Sequence, residues 1–147
     1  MGEGELTEYH VPFPARLSHP NRANKVIDIF ANHDAFAALT ISRQLIVWGN
    51  KFHGADTSVL KDKLQSVHQV YPFDKGFVAL RGDNTAIAWE GWELVEKQPR
   101  YQEVTQVSKV VTYEREFAFL KQDGTVLMVT LGPKLTLLKQ RIFFPRV

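Results

Sequence analysis

The chain has 147 residues, 44% of them hydrophobic and 12% aromatic, with a net charge of +2, which describes a folded globular protein and excludes a disordered one. It contains no cysteine, which excludes a disulfide framework and thiolate metal sites and fits a reducing compartment. So small a net charge does not advertise nucleic acid as a partner, and no run approaches the ~20 apolar residues that a membrane helix needs.

The N-terminal stretch carries Glu3, Glu5 and Glu8 and no apolar run, so it reads as neither a secretory signal nor a transit peptide. A cytoplasmic protein is expected, with export without a leader left open. Residues 1–23 form an N-terminal cap or edge segment, because Pro12 and Pro14 cannot donate to a strand ladder. A first strand follows at Val26 to Phe30, then a second at Phe36-Ala37-Ala38-Leu39, then a third ending at Trp48. A polar segment ending in Thr57-Ser58 precedes Val59, Leu60 and Leu64 at helical spacing, which predicts one or two helical turns near 57–64.

The same order then returns. Val67 to Val70 and Val107 to Val111 repeat the first strand, and Phe77-Val78-Ala79-Leu80 and Phe117-Ala118-Phe119-Leu120 repeat the second, 41 and 40 residues apart. Trp89 and Val129 stand where Trp48 stands. A period of about 40 residues is the length of a propeller blade, a unit that buries its apolar faces only by stacking on copies of itself. The predicted fold is therefore all-β, three blade-like antiparallel units at about 24–64, 65–104 and 105–144 in one domain.

The Phe phrase is apolar at consecutive positions, so its strand should be covered on both faces by neighbouring blades, with the three phenylalanines as core anchors. Asp83-Asn84 and Asp123-Gly124 suit tight hairpins between the second and third strands. Ser42-Arg43 lacks such a residue and predicts a looser turn or another type. Fourth, outer strands are expected at Trp92 to Val95 in unit two and at Leu135 to Leu138 and Ile142 to Phe144 in unit three.

Ala35-Phe36-Ala37-Ala38-Leu39, Val47-Trp48-Gly49, Gly54-Ala55-Asp56-Thr57-Ser58-Val59 and the Leu64…Val67 spacing resemble the repeats of the regulator of chromosome condensation family, especially its bacterial variants. The resemblance covers about residues 26 to 132, strongest in unit one and weaker in unit three, where Val129 replaces the Trp. It implies a propeller-like stack of blades used as an interaction platform. The founding member of that family is a nucleotide exchange factor for a small GTPase, an activity carried by loop residues that have no match here.

Three units do not close a ring, since propellers normally have four to eight blades. The open edges require a cover. A head-to-tail dimer closing six blades and an open stack capped by Tyr9 to Leu17 and Lys139 to Val147 are both preferred over a piece of a longer array, because terminal repeats must be atypical.

Neither phosphate-cradling glycine pattern, no G-x-S-x-G elbow and no thiol nucleophile occurs, so no catalytic residues and no cofactor are expected. His10, His19, His33, His53 and His68 lack metal-motif spacing, and a cation held by His53 and Asp56 with His33 or Asp34 is weighed against a loop histidine and a capping aspartate, which fit better. Glu114 and Glu116 would share one face of an extended segment, but a solvated connection explains them. Arg81-Gly82-Asp83 spells an adhesion tripeptide that turn chemistry alone accounts for. The C-terminal Lys139 to Arg146 mixes cations with aromatics, as single-strand binders do, yet those basic positions are not repeated between units.

What remains is a set of aromatics outside the repeated core, Phe52, Trp92, Tyr101 and Tyr113, near the variable connections. The expected function is a non-enzymatic protein-interaction module with Phe52, His53, Trp92 and Tyr101 as contact residues. A carbohydrate-binding propeller using the same aromatics on a glycan, and a regulator or exchange factor of a small GTPase, are the alternatives.

Overall fold

The computed structural model describes residues 8–19, 21–92, 94, 97, 99–131, 135–136 and 141–142. The chain enters through β1 (His10–Val11) and one helical turn, α1 (Ala15–Ser18), behind Pro14. Then come β2 (Val26–Ala31), β3 (Ala35–Thr40) and β4 (Leu45–Asn50), followed by two single 3-10 turns at Lys51–His53 and Ser58–Leu60. β5 (Val67–Phe73), β6 (Gly76–Arg81), β7 (Ala86–Glu90) and β8 (Arg100–Val104) make the next unit. β9 (Val107–Tyr113), β10 (Glu116–Lys121), β11 (Val126–Leu131), β12 (Leu135–Thr136) and β13 (Arg141–Ile142) make the last.

These strands form three antiparallel sheets, the predicted blades. Blade 1 runs β1-β4-β3-β2, blade 2 runs β5-β6-β7-β8, and blade 3 runs β9-β10-β11 with β12 and β13 both on β11. The repeat is exact in register. Phe36 pairs with Trp48, Phe77 with Trp89 and Phe117 with Val129, and each first strand opens with the same bulge opposite the end of the second. The first strands stand side by side, β5 between β2 and β9.

The cores lie between blades, not within them. Between blades 1 and 2, Phe77, Trp89 and Ile87 meet Ala35, Ala37, Leu39 and Val47, with Leu60 and Leu64 of the predicted helical turn closing the edge. Between blades 2 and 3, Val78, Ala86 and Ala88 meet Phe117, Phe119 and Val110, with Phe73 against Phe117 at 5.0 Å between ring centroids. The small residues of one face admit the large rings of the next, which is why the phrase carries alanines. Each buried phenylalanine contributes roughly 1.5–3 kcal/mol.

Four expectations need correction. Phe36 is not a core anchor: it is 45% exposed, against 0% for Phe77 and 2% for Phe117. It occupies the face that in blades 2 and 3 packs on the preceding blade; among the described residues no blade precedes blade 1, and Phe36 keeps only its stack on Trp48 at 5.6 Å, whose ring Phe13 of the N-terminal segment meets edge-on at 5.2 Å. Ser42-Arg43 does not make a different turn. The amides of Arg43, Asn84 and Gly124 donate to the carbonyls of Thr40, Arg81 and Lys121, and all three residues take left-handed φ of 67°, 65° and 85°. In unit one Thr40 Oγ1 bonds Ser42 Oγ and receives the Gln44 amide, supplying the side-chain support that Asp83 and Asp123 give in the other two turns.

The outer strand of blade 2 is β8; Trp92, expected in that strand, is drawn off by the loop after β4, its amide donating to the Lys51 carbonyl at 2.9 Å, and Glu93 and Val95 lie outside the described residues. Blade 1 takes its fourth strand from the N-terminal segment, with His10 opposite Asn50 and Val11 opposite Gly49. Glu114 sits at a φ of 49° in the β9–β10 turn, so it does not share an extended face with Glu116. In unit three the expected outer strands at Leu135 and Ile142 do pair with β11, and the remainder of both segments lies outside the described residues.

Candidate functional site

Antiparallel order sends the β2–β3, β5–β6 and β9–β10 turns, and the segments leaving β4 and β7, to one rim of the stack. The three hairpin tips at 41–43, 82–84 and 122–124 go to the other. The tip rim is closed by a repeated bond: the Arg43 carbonyl accepts from Val67 N–H at 2.9 Å, and the Asn84 carbonyl from Val107 N–H at 2.8 Å. The adhesion-like tripeptide lies here, with Asp83 turned onto the Thr85 amide and 3.7 Å from Arg81, as turn chemistry requires.

The opposite rim carries the aromatics, arranged on the 50–56 loop. Asn50 starts the loop by accepting from the Phe52 amide and donating to Asp34 at 2.9 Å. Gly54 takes a φ of 95° and its carbonyl receives the Trp89 indole N–H at 2.8 Å, fixing the loop over the seam between blades 1 and 2. Asn32 reinforces the seam, donating to the carbonyls of His53 at 2.7 Å and Gly76 at 3.1 Å. From the other side Gly91 presses against Phe52, so closely that a Cβ there would stand 1.9 Å from the Phe52 carbonyl oxygen.

This frame brings together three of the four predicted contact residues. Phe52 meets Trp92 edge-on at 6.4 Å and Tyr9 at 5.0 Å, and the Lys51 ammonium lies 4.6 Å over the Trp92 ring. The Trp92 indole N–H donates to Asp56 at 2.6 Å. His53 adjoins them, stacked on His33 at 5.1 Å. Its Nδ1 lies 2.9 Å from the Asp74 carbonyl, which only accepts, so Nδ1 carries a proton and donates it. Tyr101 belongs to another cluster, on β8 with the Lys63 ammonium 5.7 Å over its ring and Glu103 bridged to Lys63 at 3.0 Å. Tyr9 and Lys51 were not legible as site residues, because only the β1 pairing brings Tyr9 to the loop and only the fold sets the Lys51 ammonium over Trp92.

Two carboxylates of this rim titrate in opposite senses. Burial opposes the ionisation of Asp56, but hydrogen bonds from Ser58 and Trp92 and the charge of Lys51 outweigh it and hold its pKa below the ordinary value. Glu90 is pushed up by burial, which the charges of Arg100, 3.6 Å away, and Lys75 only partly offset. Among the described residues no three His, Asp or Glu side chains come together to hold a metal. Asp34 is engaged by Asn50, and Asp56 by Trp92. A separate cleft of about 490 Å3 lies between the N-terminal turn and the 57–65 segment, lined by Arg16, Ile46 and Lys61 among others, and contains none of the four predicted residues. Of the C-terminal basic run, Arg141 and Ile142 are in β13 and the rest lies outside the described residues.

No protein-family model matches the sequence, and no curated protein does. Solved structures do match. The chain superposes on yeast RCC1 (Prp20), crystallised bound to Kap60, with a TM-score of 0.51 and 16% identity over 82% of this chain and 31% of that one. A second structure, of Prp20p from Saccharomyces cerevisiae, described with its binding properties to Gsp1p and histones, gives 0.52 at 14% identity over 76% and 32%. The fold is an RCC1-like β-propeller repeat. Its three blades span about a third of the RCC1 chains they match. Among the described residues no helix is long and apolar enough to cross a membrane.

Proposed function

We propose that this RCC1-like chain is a non-enzymatic protein-interaction module whose contact surface is the rim cluster of Phe52, His53 and Trp92, with Tyr9 and Lys51 completing it. The observation that carries the reading is the rigid mounting of the half-buried Phe52 and Trp92: both backbones are held by the 50–56 loop, and the indole N–H is fixed by Asp56. Ring anchors that are already ordered lose little conformational freedom on binding, which is what a protein hot spot needs. Tyr101, on its own cluster, is a secondary contact.

The same geometry favours a protein over a glycan. Sugar stacking needs an open indole face, and one face of Trp92 is taken by the Lys51 ammonium at 4.6 Å. Exchange on a small GTPase draws support from fold likeness to Prp20p alone. In affinity capture from the native host, wild-type chain should retain a stoichiometric protein that Trp92→Ala and Phe52→Ala both lose while staying folded. An unchanged set of captured proteins overturns the reading. A glycan-dependent signal abolished by Trp92→Ala, or preference for a nucleotide-free small GTPase, would replace it with one of the alternatives.

A further inference from the structure

Blades 1 and 2 fill the place of the fourth strand unequally. In blade 2, β8 covers β7 from end to end, with Val104 opposite Ala86 and Arg100 opposite Glu90. In blade 1 the place is filled only at its two ends. β1 meets Gly49 and Asn50, and the Leu64 carbonyl, which precedes the next first strand by three residues as Val104 does, accepts the Leu45 amide at 3.2 Å. Among the described residues no strand stands opposite Ile46, Val47 and Trp48. Pro12 and Pro14 have no amide to give a ladder, so the chain leaves the edge for α1, and a 3-10 turn at Ser58–Leu60 stands where blade 2 has extended chain.

This gap is the cleft of about 490 Å3, which Ile46 and Val47 line. The amides of Leu45 and Lys51 point outward, to Leu64 and Tyr9, so the two-residue alternation of an antiparallel strand turns the N–H and C=O of Val47 outward as well, into the cleft. Its counterpart Ala88 pairs with Gln102. Leu45 and Val47 belong to the core shared with blade 2, so the Ile46 side chain faces the other way, where the N-terminal segment sets Phe13 against Trp48 and brings Arg16 to the cleft. The far wall adds Lys61 and Asp62, which leaves two cations against one acid. Blade 2 shows what such a cation does. Opposite Ile87, the counterpart of Ile46, stands Glu103, bridged to Lys63 of the preceding loop at 3.0 Å.

We propose that this cleft receives a short extended segment of a partner protein, which lies antiparallel to β4 opposite Ile46, Val47 and Trp48 and sets an acidic side chain opposite Ile46, beside Arg16. The occupant follows from continuity with β1, whose ladder it prolongs, and from blade 2, where Gln102 and Glu103 hold the matching places. Three residues of strand span about 10 Å. The volume suits a ligand cleft, for which roughly 300–1,000 Å3 is usual. The segment exchanges two main-chain hydrogen bonds with Val47, and the charged walls select its side chain, as in strand addition to an open sheet edge. This site lies apart from the Phe52 and Trp92 cluster and does not rest on it.

The probe is an acetylated and amidated peptide with the sequence of β8, Arg-Tyr-Gln-Glu-Val. Titrated into the full chain and followed by heteronuclear NMR, it should shift the amide signals of Ile46, Val47 and Trp48 to saturation, and equally so in Trp92→Ala. A peptide with lysine in place of its glutamate should not bind the wild-type chain but should bind Arg16→Glu, a substitution at an exposed residue that leaves the fold intact. Methylating the glutamine nitrogen should weaken binding roughly threefold to tenfold, the worth of one hydrogen bond. Before peptide is added, the Val47 amide should exchange with solvent faster than those of Leu45 and Lys51. No saturating shift up to the solubility limit of the peptide, or shifts centred elsewhere, would overturn the proposal. So would an equal response to acetylglutamate amide, which marks a site for a free acid, or a Val47 amide already as protected as that of Leu45, which marks a cleft covered by the chain itself.

Discussion

Phe36 and Phe77 hold the same position in consecutive blades, each opposite a tryptophan on the neighbouring strand, yet Phe36 is 45% exposed and Phe77 is fully buried. Their strands have the same length and their hairpins the same hydrogen bonds. What differs is the neighbour. The sheet supplies the register, and the energy of a repeat position comes from the blade stacked on it, so the same residue at the same repeat position has different worth at the end of the stack and in its middle.

Alanine at the two positions should separate them most widely. Phe77→Ala should cost about 3–5 kcal/mol, since the ring is enclosed by Trp89 and the blade 1 alanines. Phe36→Ala should cost under about 1 kcal/mol when urea unfolding is followed in the same way. Equal shifts in midpoint would show that the stack does not set the worth of the position.

The hairpin tips give a smaller, reciprocal contrast. Arg43 adopts left-handed φ without being glycine or asparagine, so Arg43→Gly should gain about 1 kcal/mol. Gly124→Ala, whose Cβ would meet nothing within 4 Å, should lose about 1 kcal/mol through φ alone. Each corresponds to roughly 2–4 °C in melting temperature, measurable by calorimetry.

The smallest effect distinguishes the rim carboxylates of the two blades. Asp56 has a depressed pKa, so its contribution is present above the ordinary aspartate range and is lost as pH falls through the folded value. Glu90 has a raised pKa, so the fold binds its proton more tightly, and stability rises as pH falls from the raised value to the ordinary one. Melting temperature followed over about pH 3 to 7 should show a smaller acid-side drop in Asp56→Asn, with Asp83, also depressed, supplying part of what remains, and should lose its earlier rise in Glu90→Gln. Parallel profiles for both variants would contradict this assignment.

Blade number, the strand order within each unit and the inter-blade core were legible because the Phe phrase repeats and is apolar on both faces. The left-handed φ of Arg43 was not, since no residue preference announces it and the Thr40 and Ser42 hydroxyls stabilise it only once the strands pair. The N-terminal segment was legible as a cap or edge from Pro12 and Pro14, but its pairing with β4 was not, because β1 is two residues long, too short for any alternation to register. Phe52, His53 and Trp92 were visible as aromatics and a histidine outside the repeat. Their junction was not, because it depends on Gly91 meeting the Phe52 backbone some forty residues away.

The pairing of His10 with Asn50 also sets an order of events during synthesis. The outermost strand of blade 1 leaves the ribosome before β4 and must wait for it, a delay of about 2–8 s at ordinary elongation rates. Through that interval β1 has no strand to pair with. The blade that emerges earliest is thus finished by reaching backward, whereas blade 2 acquires β8 from the chain that follows it.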